Sequence, residues 1–418
     1  MSRIKVRSLA VTLAILIASF STASAQWDIY LQGSLVTDGN PHDVYVTGNY
    51  ALLGDWAAGF KVIDISVPWN PYVVYNYDTE GLSNSICVSG DLAVVSDWSR
   101  GISIFDISDP SSPVFLSSWN SPGAAYNTYI SGNYVYIADL NADLVVLDIT
   151  DPSNPALVTT YPINGLATGI DGASHFVYLT DFPNGILVFD VSEPSLPQQV
   201  DSYVSSGDAF NITVSGSYLF LADGTGGVKI LSIADPADLA FITAVSTFGY
   251  VNDVAVSDTF MFTAEDSAGV SVYSIADIWS PYLIASYDTP RGAKGIFARD
   301  RNAFVGDGGS FLVLLLDDGT TGIGDNPSLR PVDFSLDSVY PNPFNPRATI
   351  EFSLARPARV ALDVYNLLGE RVESIFDREH EAGAHIARWR GDDFPTGIYF
   401  FRLTSDGISK TAKATLLK

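Results

Sequence analysis

The sequence has one cysteine, Cys87, among its 418 residues. A single cysteine excludes an intrachain disulfide framework, so the folded chain depends on packing for its stability. We interpret Cys87, in the run Ile86-Cys87-Val88, as a small buried hydrophobe. Histidine is also scarce: His42 and His175 are the only two before residue 300, and no partner pattern for nucleophilic catalysis or a zinc site accompanies them. No glycine-rich phosphate loop leads from a strand into a helix.

Basic residues are few, with 22 Lys and Arg against 47 Asp and Glu and a net charge of −25. The imbalance is local: residues 26–316 contain 32 acids and 7 bases, whereas residues 333–418 contain 12 acids and 11 bases. These are two differently composed units. The acidic unit would repel nucleic acid and anionic lipid, which excludes both as partners. Within it Asp outnumbers Glu 29 to 3, a bias typical of turns.

Long apolar runs are missing except near the beginning of the sequence. Basic residues at positions 3–7 precede the apolar run Leu9–Phe20, and Ala23-Ser24-Ala25 follows it. This pattern predicts a secretory signal peptide over residues 1–25. Its apolar run is too short to span a bilayer comfortably, and no later run is long enough. We therefore expect a protein that reaches the cell surface or the medium through the periplasm, with no integral membrane segment after cleavage.

What the sequence does contain is a 42-residue repeat. The strings "ISIFDISDPSSP", "LVVLDITDPSNP" and "ILVFDVSEPSLP" carry Asp106, Asp148 and Asp190 at that spacing. Such a period, in the range of about 20–50, indicates a solenoid, a propeller or an array. A second series of acids keeps the same step through seven copies: Asp55, Asp97, Asp139, Asp181, Asp223, Glu265 and Asp307.

Each period contains four short runs of β-branched and aromatic residues bounded by turn residues, and no segment has a sustained helical period. Four strands per period predict one propeller blade, and so an all-β fold. The seventh copy ends after Leu316 without a fourth strand, but Ile29–Gly39 lies one period before the fourth strand Pro71–Gly81. We predict a seven-bladed β-propeller over residues 26–318, closed by its N-terminal strand.

The strings "VIDIS", "IFDIS", "VLDIT" and "VFDVS", each followed by an Asp-Pro or similar turn, resemble the LVIVD-repeat family of bacterial propellers. The Gly-His and Trp-Asp pairs of WD40 propellers do not recur. The resemblance covers residues 26–316 and implies an extracytoplasmic β-propeller. It implies no chemistry.

In a propeller the loop before the first strand and the loop between the second and third strands open on the same face. Aromatic faces for stacking, beside amides and carboxylates for orientation, suit a carbohydrate or peptide ligand. The alternative is that the large residues only pack against the next blade. The residues expected near the central opening are His42, Asp43, Asn84, Tyr126, Asn127, Asn211, Asn252, Asp253 and Lys294, with Trp56, Trp98 and Phe182 further out.

We interpret the seven repeat acids as structural, each carboxylate accepting backbone N–H groups of the hairpin that follows. Calcium is the alternative, but one acid per blade spreads the carboxylates around a ring, and no calcium-loop motif is present. We therefore predict no cofactor and no metal. Four bases lie together in the seventh copy, where they could hold an anionic group or, as we favour, pair with acidic neighbours: Arg291, Lys294, Arg299 and Arg301.

After a linker at residues 319–332, the segment Tyr340–Pro346 reads "YPNPFNP", whose three prolines exclude a helix. Alternating runs follow ("ATIEFSL", "RVALDVYN", "ARWRG", "GIYFFRLTS", "KTAKATLLK"), and "NLLGERV" between them predicts a hairpin. Residues 333–418 are predicted to form a small β-sandwich.

This stretch resembles the C-terminal sorting domain of type IX secretion cargo, which is similar to the immunoglobulin-like domain of flagellar hook-cap proteins. The resemblance implies an Ig-like fold and the outer-membrane secretion machinery as a partner. A generic accessory sandwich is the alternative. The residues that carry the resemblance include Tyr340, Pro341, Asn342, Pro343, Phe344, Asn345, Pro346, Gly369, Gly383, Trp389, Gly397 and Tyr399.

Together these features predict an exported, monomeric, non-enzymatic propeller that binds an extracellular glycan or protein. The alternative is a propeller-based extracellular hydrolase or lyase acting on a polysaccharide or phosphoester. Propeller sites are assembled from scattered loops, so the lack of a linear motif does not exclude such an enzyme.

Overall fold

A computed structural model describes residues 27–318, except Ala142, and residues 334–418, except 355, 356, 368, 382, 406 and 407. The predicted signal peptide and linker lie outside the described residues. Every regular element in the described ranges is a β-strand. The strands group into seven four-stranded sheets before residue 318 and two further sheets after residue 334.

The strand β1 (Asp28–Val36) comes first in the chain, and the next 24 strands form six sheets of four consecutive strands each. Sheet 1 contains β2 (Asp43–Thr47), β3 (Tyr50–Gly54), β4 (Phe60–Asp64) and β5 (Tyr72–Tyr77); sheet 2 contains β6 (Ser85–Ser89), β7 (Leu92–Ser96), β8 (Ile102–Asp106) and β9 (Val114–Trp119). Sheet 3 contains β10 (Ala125–Ser131), β11 (Tyr134–Asp139), β12 (Asp143–Asp148) and β13 (Ala156–Tyr161); sheet 4 contains β14 (Leu166–Ala173), β15 (Phe176–Phe182), β16 (Gly185–Asp190) and β17 (Gln198–Val204). Sheet 5 contains β18 (Asn211–Ser215), β19 (Tyr218–Ala222), β20 (Val228–Ser232) and β21 (Ala240–Val245); sheet 6 contains β22 (Asp253–Ser257), β23 (Phe260–Ala264), β24 (Val270–Ser274) and β25 (Tyr282–Tyr287).

Sheet 7 combines the two ends of this region. It contains β26 (Ala293–Arg299), β27 (Asn302–Asp307) and β28 (Ser310–Asp317), and β1 pairs antiparallel with β28 as its outermost strand. The innermost strands contact one another in a complete circuit, from β2 through β6, β10, β14, β18, β22 and β26 back to β2. This arrangement of radial antiparallel sheets is a β-propeller.

The repeated turn residues explain why each sheet forms. The hairpin between the first and second strands has one left-handed residue in all seven sheets, as the tight hairpin requires; these residues are Gly48, Gly90, Gly132, Ser174, Gly216, Asp258 and Asp300. After the third strand, Asp106 Oδ1 accepts the N–H of Ser108 at 2.8 Å, and Asp148 Oδ1 accepts that of Thr150 at 2.7 Å. These Asx turns are the physical basis of the repeated "DISDP"-type string.

The propeller core is divided among the seven interfaces between neighbouring sheets. In the interface between sheets 1 and 2, for example, Phe60 and Phe105 are fully buried with ring centroids 4.8 Å apart. A similar apolar cluster fills each of the other interfaces, including the one between sheets 7 and 1. Second and third strands are therefore apolar on both faces, because each face packs on another sheet.

Residues after 334 form two antiparallel sheets around one shared core. One sheet has the order β29-β30-β33 and the other the order β32-β31-β34-β35. The predicted hairpin between β31 and β32 is confirmed, whereas β29 and β32 are strands that the sequence analysis did not list. The strands are β29 (Phe334–Tyr340), β30 (Arg347–Leu354), β31 (Ala358–Tyr365), β32 (Arg371–His380), β33 (Gly383–Arg390), β34 (Gly397–Ser405) and β35 (Ile408–Leu416).

The motif residues of this region are largely structural. Phe344 is buried in the core, and its backbone pairs with the last strand: its N–H donates to Thr415 O, and Leu417 N–H donates to Phe344 O, both at 2.9 Å. Asn342 Oδ1 accepts the N–H of Thr415 at 3.0 Å. The "YPNPFNP" segment therefore fastens the final strand to the rest of the tail.

Candidate binding site at the mouth of the central channel

The nine residues expected near the central opening line one cavity of about 150 Å³. Each lies at or near the start of an innermost strand, so the repeat brings them together. The cavity has two more lining residues that the sequence analysis did not name, Ser85 and Phe210. The repeat could have found both, since Ser85 lies one period after Asp43 and Phe210 one period before Asn252. The lining, called the mouth cavity below, is His42, Asp43, Asn84, Ser85, Tyr126, Asn127, Phe210, Asn211, Asn252, Asp253 and Lys294.

A chain of side-chain hydrogen bonds runs along the floor of the mouth cavity. Ser85 Oγ donates to Asn127 Oδ1 at 3.0 Å, and Asn127 Nδ2 donates to Asn211 Oδ1 at 3.1 Å. Asn211 Nδ2 in turn donates to Asp253 Oδ1 at 2.8 Å. Sheet 4 contributes Gly169 at this step of the repeat, where a Cβ would lie 2.8 Å from Asn211 Oδ1, so glycine leaves room for the amide chain.

The two carboxylates of the floor are bound to the backbone. Asp43 Oδ2 accepts the N–H of Ile86 at 2.8 Å, and Asp253 Oδ2 accepts that of Ile296 at 2.9 Å, so each joins its sheet to the next. The second oxygen of each accepts the N–H of the following residue. Burial raises the pKa of Asp43 to about 6, and burial together with the Asp43 charge raises the pKa of Asp253 to about 8. These carboxylates hold the floor together.

His42 lies at the rim, with its ring stacked on Trp56 at a centroid distance of 4.3 Å. Its Nδ1 is 3.1 Å from Asn84 Oδ1, and Asn84 Nδ2 donates to the Tyr126 carbonyl at 2.7 Å. Burial and the positive charge of Lys294 lower the pKa of His42 to about 4. The imidazole is therefore neutral at pH 7, and it acts as an aromatic and hydrogen-bonding surface.

Partly exposed aromatic rings form a continuous arc along one side of the mouth cavity. Trp56 and Trp98 meet edge to face at 5.4 Å, and Trp98 lies 5.6 Å from Tyr126. The arc continues from Tyr126 to Phe210 at 5.7 Å. Phe182, predicted as a third outer aromatic, stands apart: it pairs with Leu166 across β14 and β15, and no ring stacks on it within the described part of the chain.

The two tryptophans have an unusual backbone. Trp56 has φ of 48° and Trp98 has φ of 53°, in the left-handed region that bulky residues rarely adopt. The repeat places Gly224 and Gly308 at the same step in sheets 5 and 7. Tryptophan thus stands twice where glycine suits the backbone better. Such strain, on the order of 1 kcal/mol or more per residue, is typical of functional sites.

The part of the mouth formed by sheets 6 and 7 is charged, and it adjoins His42, whose pKa burial and the Lys294 charge lower. Lys294 Nζ lies 2.9 Å from Asp266, which stands at the step that Trp56, Trp98 and Phe182 occupy in sheets 1, 2 and 4. Of the four clustered bases, Lys294 and Arg301 pair with acidic neighbours, as we favoured. Arg301 lies 2.8 Å from Asp318. Arg299 instead donates to the Gly48 carbonyl at 2.6 Å.

The repeat acids lie outside the mouth cavity and are buried. Asp97 accepts hydrogen bonds from Thr79 at 2.6 Å and from Ser83 at 3.2 Å, both in the connection that precedes the innermost strand. Asp139 accepts the backbone N–H of Ala124 at 2.7 Å from the same connection in sheet 3. The structural interpretation therefore needs one correction: the donors lie mainly before the innermost strand, and less in the hairpin that follows. The described residues contain no group of three or more His, Cys, Asp or Glu that could hold a metal ion.

Beneath the floor the channel widens into a second cavity of about 350 Å³. Cys87 lines it and is partly buried against the apolar core between sheets 2 and 3, so the prediction of a buried hydrophobe is confirmed in part. Burial of the thiol raises its pKa to about 12. Asp171 also lines this cavity, and its Oδ2 accepts the N–H of Val214 at 2.7 Å. The sequence analysis missed Asp171, which lies just beyond Gly169, the residue at the regular step of the repeat.

Family comparisons identify both units. The LVIVD repeat model matches residues 38–79, 80–121, 122–162, 165–205 and 206–247. The model of the secretion system C-terminal sorting domain matches residues 338–416. The chain carries LVIVD repeats and a type IX sorting domain. Sheets 6 and 7 of this LVIVD-repeat protein continue the same period beyond the matched segments. The sorting domain implies secretion or display at the cell surface.

Solved structures that resemble the chain share its propeller fold at low identity. The β-propeller domain of Cps50 (Swd1) from Myceliophteria thermophila has 12% identity and a TM-score of 0.59, covering 69% of this chain and 100% of that one. A component of a mitotic checkpoint complex has 10% identity and a TM-score of 0.56, with 75% and 98% covered. The computationally designed Ika8 protein has 12% identity and a TM-score of 0.52, with 68% and 99% covered. No curated protein matches the sequence. Among the described residues no helix could cross a membrane.

Proposed function

We propose that this LVIVD-repeat protein is an exported, non-enzymatic binding protein that holds a neutral glycan at the mouth cavity. The observation that carries the proposal is the pair of left-handed tryptophans, Trp56 and Trp98, beside a cavity floored by amides. The two tryptophans do not line the mouth cavity themselves, but their rings contact His42 and Tyr126, which do. Aromatic rings stack on the apolar faces of sugars, and amides bind their hydroxyl groups. The net charge of −25 disfavours an acidic polymer.

The alternative is a hydrolase or lyase acting on polysaccharide or phosphoester, and it needs an acid and a base free to exchange protons with a substrate. The mouth cavity offers Asp43, Asp253 and His42. Both carboxylates already accept backbone N–H groups with both oxygens, and His42 is bound to Asn84. Because these three side chains are already held in structural hydrogen bonds, the site suits binding better than catalysis.

The test replaces both tryptophans with glycine, since glycine adopts the left-handed conformation of these positions without strain. We expect the Trp56→Gly/Trp98→Gly variant to lose its ligand while its unfolding free energy falls little. Neutral oligosaccharides on an array identify the ligand, and isothermal titration calorimetry measures its affinity. The matched control is Trp279→Ala, which removes a tryptophan that is 67% exposed away from the mouth and should leave binding intact.

Three outcomes would contradict the proposal. Loss of several kcal/mol of stability in the double variant would make the tryptophans packing residues. Binding to peptides but to no glycan would assign a protein ligand. Release of shortened products from a bound oligosaccharide would favour the enzyme.

A further inference from the structure

The repeat acids of sheets 1 and 5 are each neutralised by a buried lysine on the third strand. Lys229 Nζ lies 3.0 Å from Asp223, and Lys61 Nζ lies 3.7 Å from Asp55. The Lys61 ammonium also donates to Asn76 Oδ1 at 2.6 Å and to the Ala58 carbonyl at 3.3 Å. Both lysine sites supply a carboxylate and a carbonyl from the hairpin, which for Lys229 is that of Gly226. The Lys61 site adds a side-chain oxygen from the fourth strand.

Sheet 4 has the acid without the lysine. The position equivalent to Lys61, three periods later, is Leu187, which pairs with Leu179 as Lys61 pairs with Leu53. Asp181 is only 5% exposed, and within the described chain its carboxylate accepts one hydrogen bond, from Asn184 Nδ2 at 3.2 Å. The buried Oδ1 of Asp181 has no hydrogen-bond partner.

No other repeat acid in the described chain combines these features. In sheet 2, where Ser103 replaces the lysine, Asp97 accepts three hydroxyl groups. In sheet 6, Glu265 accepts the N–H of Phe248 at 2.8 Å and the hydroxyl of Thr263 at 2.7 Å. A buried carboxylate oxygen without a partner is costly, so Asp181 needs a separate explanation.

A cavity of about 410 Å³ lies beside Asp181. Its polar lining includes Asp181, Asn184 and Ser202, which stand three periods after Asp55, Ala58 and Asn76, the positions that surround the Lys61 ammonium. The cavity also has an apolar wall, formed by Ile186, Leu187, Tyr203 and Val204. The acceptors of the lysine site are thus present, together with space for an alkyl chain.

We propose that this cavity, the sheet 4 pocket, binds the alkylammonium group of a ligand, which takes the place of the missing lysine side chain. The ammonium pairs with Asp181 Oδ1, and its alkyl stem lies along Leu187 and Tyr203. A hard metal cation fits less well, because Ca²⁺ takes six to eight oxygen ligands and Asp181 is the only carboxylate of the described lining. The pocket is separate from the mouth cavity, so the two proposals fail independently.

The test titrates the exported protein, with its tail, with n-butylammonium chloride, a mimic of the lysine side chain, by saturation-transfer NMR. n-Butanol is the neutral probe and potassium chloride the inorganic one. We expect butylammonium to bind, butanol to bind at least about tenfold more weakly, and high salt to reduce the affinity. Equal binding of butanol, or full competition by potassium at equal concentration, would overturn the proposal.

Two lysine variants supply the matched comparison. Leu187→Lys restores the lysine of sheets 1 and 5, so its ammonium should fill the pocket, abolish butylammonium binding and raise the melting temperature. Leu196→Lys adds the same charge at a side chain that is 64% exposed and does not line the pocket, so it should bind butylammonium like the original protein. If both variants bind butylammonium equally, or if Leu187→Lys lowers the melting temperature, the sheet 4 pocket does not bind an ammonium group at Asp181 and the proposal is wrong.

Discussion

The propeller and the tail solve the same packing problem in different ways. The propeller distributes its core over seven interfaces between sheets, and the tail gathers its buried residues into one cluster. Each propeller sheet has apolar residues on both faces and cannot be stable alone, because it needs two neighbours. The tail contains its own complete core and no more than two sheets. The propeller should therefore lose far more stability when one of its strands is removed than when the whole tail is removed.

The two regions also differ in what they bury. Among the described residues, the propeller fully buries Asp55, Asp139 and Asp223, and the only buried polar side chain of the tail is Ser405. Six of the seven repeat acids accept a hydrogen bond from the connection that precedes an innermost strand and so join it to the body of the sheet; Asp181 is the exception among the described residues. The propeller therefore depends on interior electrostatics, and the tail depends on apolar packing.

The largest expected effect comes from deleting Gln26–Asn40, which removes β1. The strand β28, which is almost entirely buried, would lose its outer partner and keep only β27. Ile29 would also be lost from the core between sheets 6 and 7. An open sheet edge invites aggregation. We expect an aggregated protein or one with a much lower melting temperature, measured by calorimetry and light scattering.

The control for this deletion is removal of residues 333–418. Since the propeller has its own core, its melting temperature should stay unchanged without the tail. A β1 deletion that melts like the parent protein would show that the ring does not depend on its N-terminal strand. A tail deletion that destabilises the propeller would instead show that the two units do not fold independently.

The site residues that could be predicted from the sequence are those that the 42-residue repeat brings together. Asp43, Asn127 and Asn211 could be placed in one site because each lies at or near the start of an innermost strand and they are separated by whole periods. Ser85 and Phe210 lie at steps of the same repeat, so the sequence could have placed them in the site as well. Asp171 lies two residues further along its strand than the step of Asp43 and Asp253. It stands where sheets 1 to 3 have Tyr45, Cys87 and Tyr129, so the repeat does not align it with the other two carboxylates.

Other features depend on distances that a periodic pattern does not contain. The partners of Asp97 lie up to 18 residues upstream, so a search of the hairpin that follows could not find them. The hydrogen bond between Asn127 and Asn211 passes over a whole sheet and requires the close approach at Gly169. In the tail, β32 reads "RVESIFDREH" and is mostly exposed, so its alternation is too weak to mark it as a strand.

A smaller effect is expected from a substitution in the tail core, which should destabilise the tail and not the propeller. Trp389 is 2% exposed in the tail core, with ring centroids 5.2 Å from Tyr399 and 5.4 Å from Phe401. Its Nε1 donates to Glu373 at 2.7 Å. Trp389→Ala should destabilise the tail by about 3–5 kcal/mol, as large-to-small core substitutions do, and leave the propeller transition in place. Circular dichroism during chemical denaturation measures both transitions. A single transition that shifts as a whole would contradict the independence of the two units.

The smallest effect concerns pH, and its sign distinguishes the two regions. Burial raises the pKa of Asp253 to about 8 and that of Asp43 to about 6. The pKa of an Asp side chain in the unfolded chain is about 3.9. Between these values the two carboxyls bind more protons in the folded propeller than in the unfolded chain, and so do Asp97 and Asp171, whose pKa values burial raises to about 6. The pKa of His42, lowered to about 4, acts in the opposite sense up to about pH 6.5. Four raised carboxyl pKa values outweigh one lowered imidazole pKa, so the stability of the propeller should be highest below about pH 4 and fall as pH rises toward about 8. In the tail the exposed carboxyl of Asp377 has a lowered pKa because of its bond to Arg359, so the tail should not lose stability over that window. The pKa of His380 in the tail is lowered by its partial burial and by the nearby His385, so the tail should gain a little stability as pH rises toward about 6.5. Calorimetry from pH 4 to 8 should therefore show the propeller transition moving down while the tail transition does not move down. Asp253→Asn should reduce the slope of the propeller transition, since Asn127 and Asn211 show that the floor accepts an amide at this step of the repeat. A propeller that gains stability as pH rises would mean that Asp43 and Asp253 are ionised in the folded state.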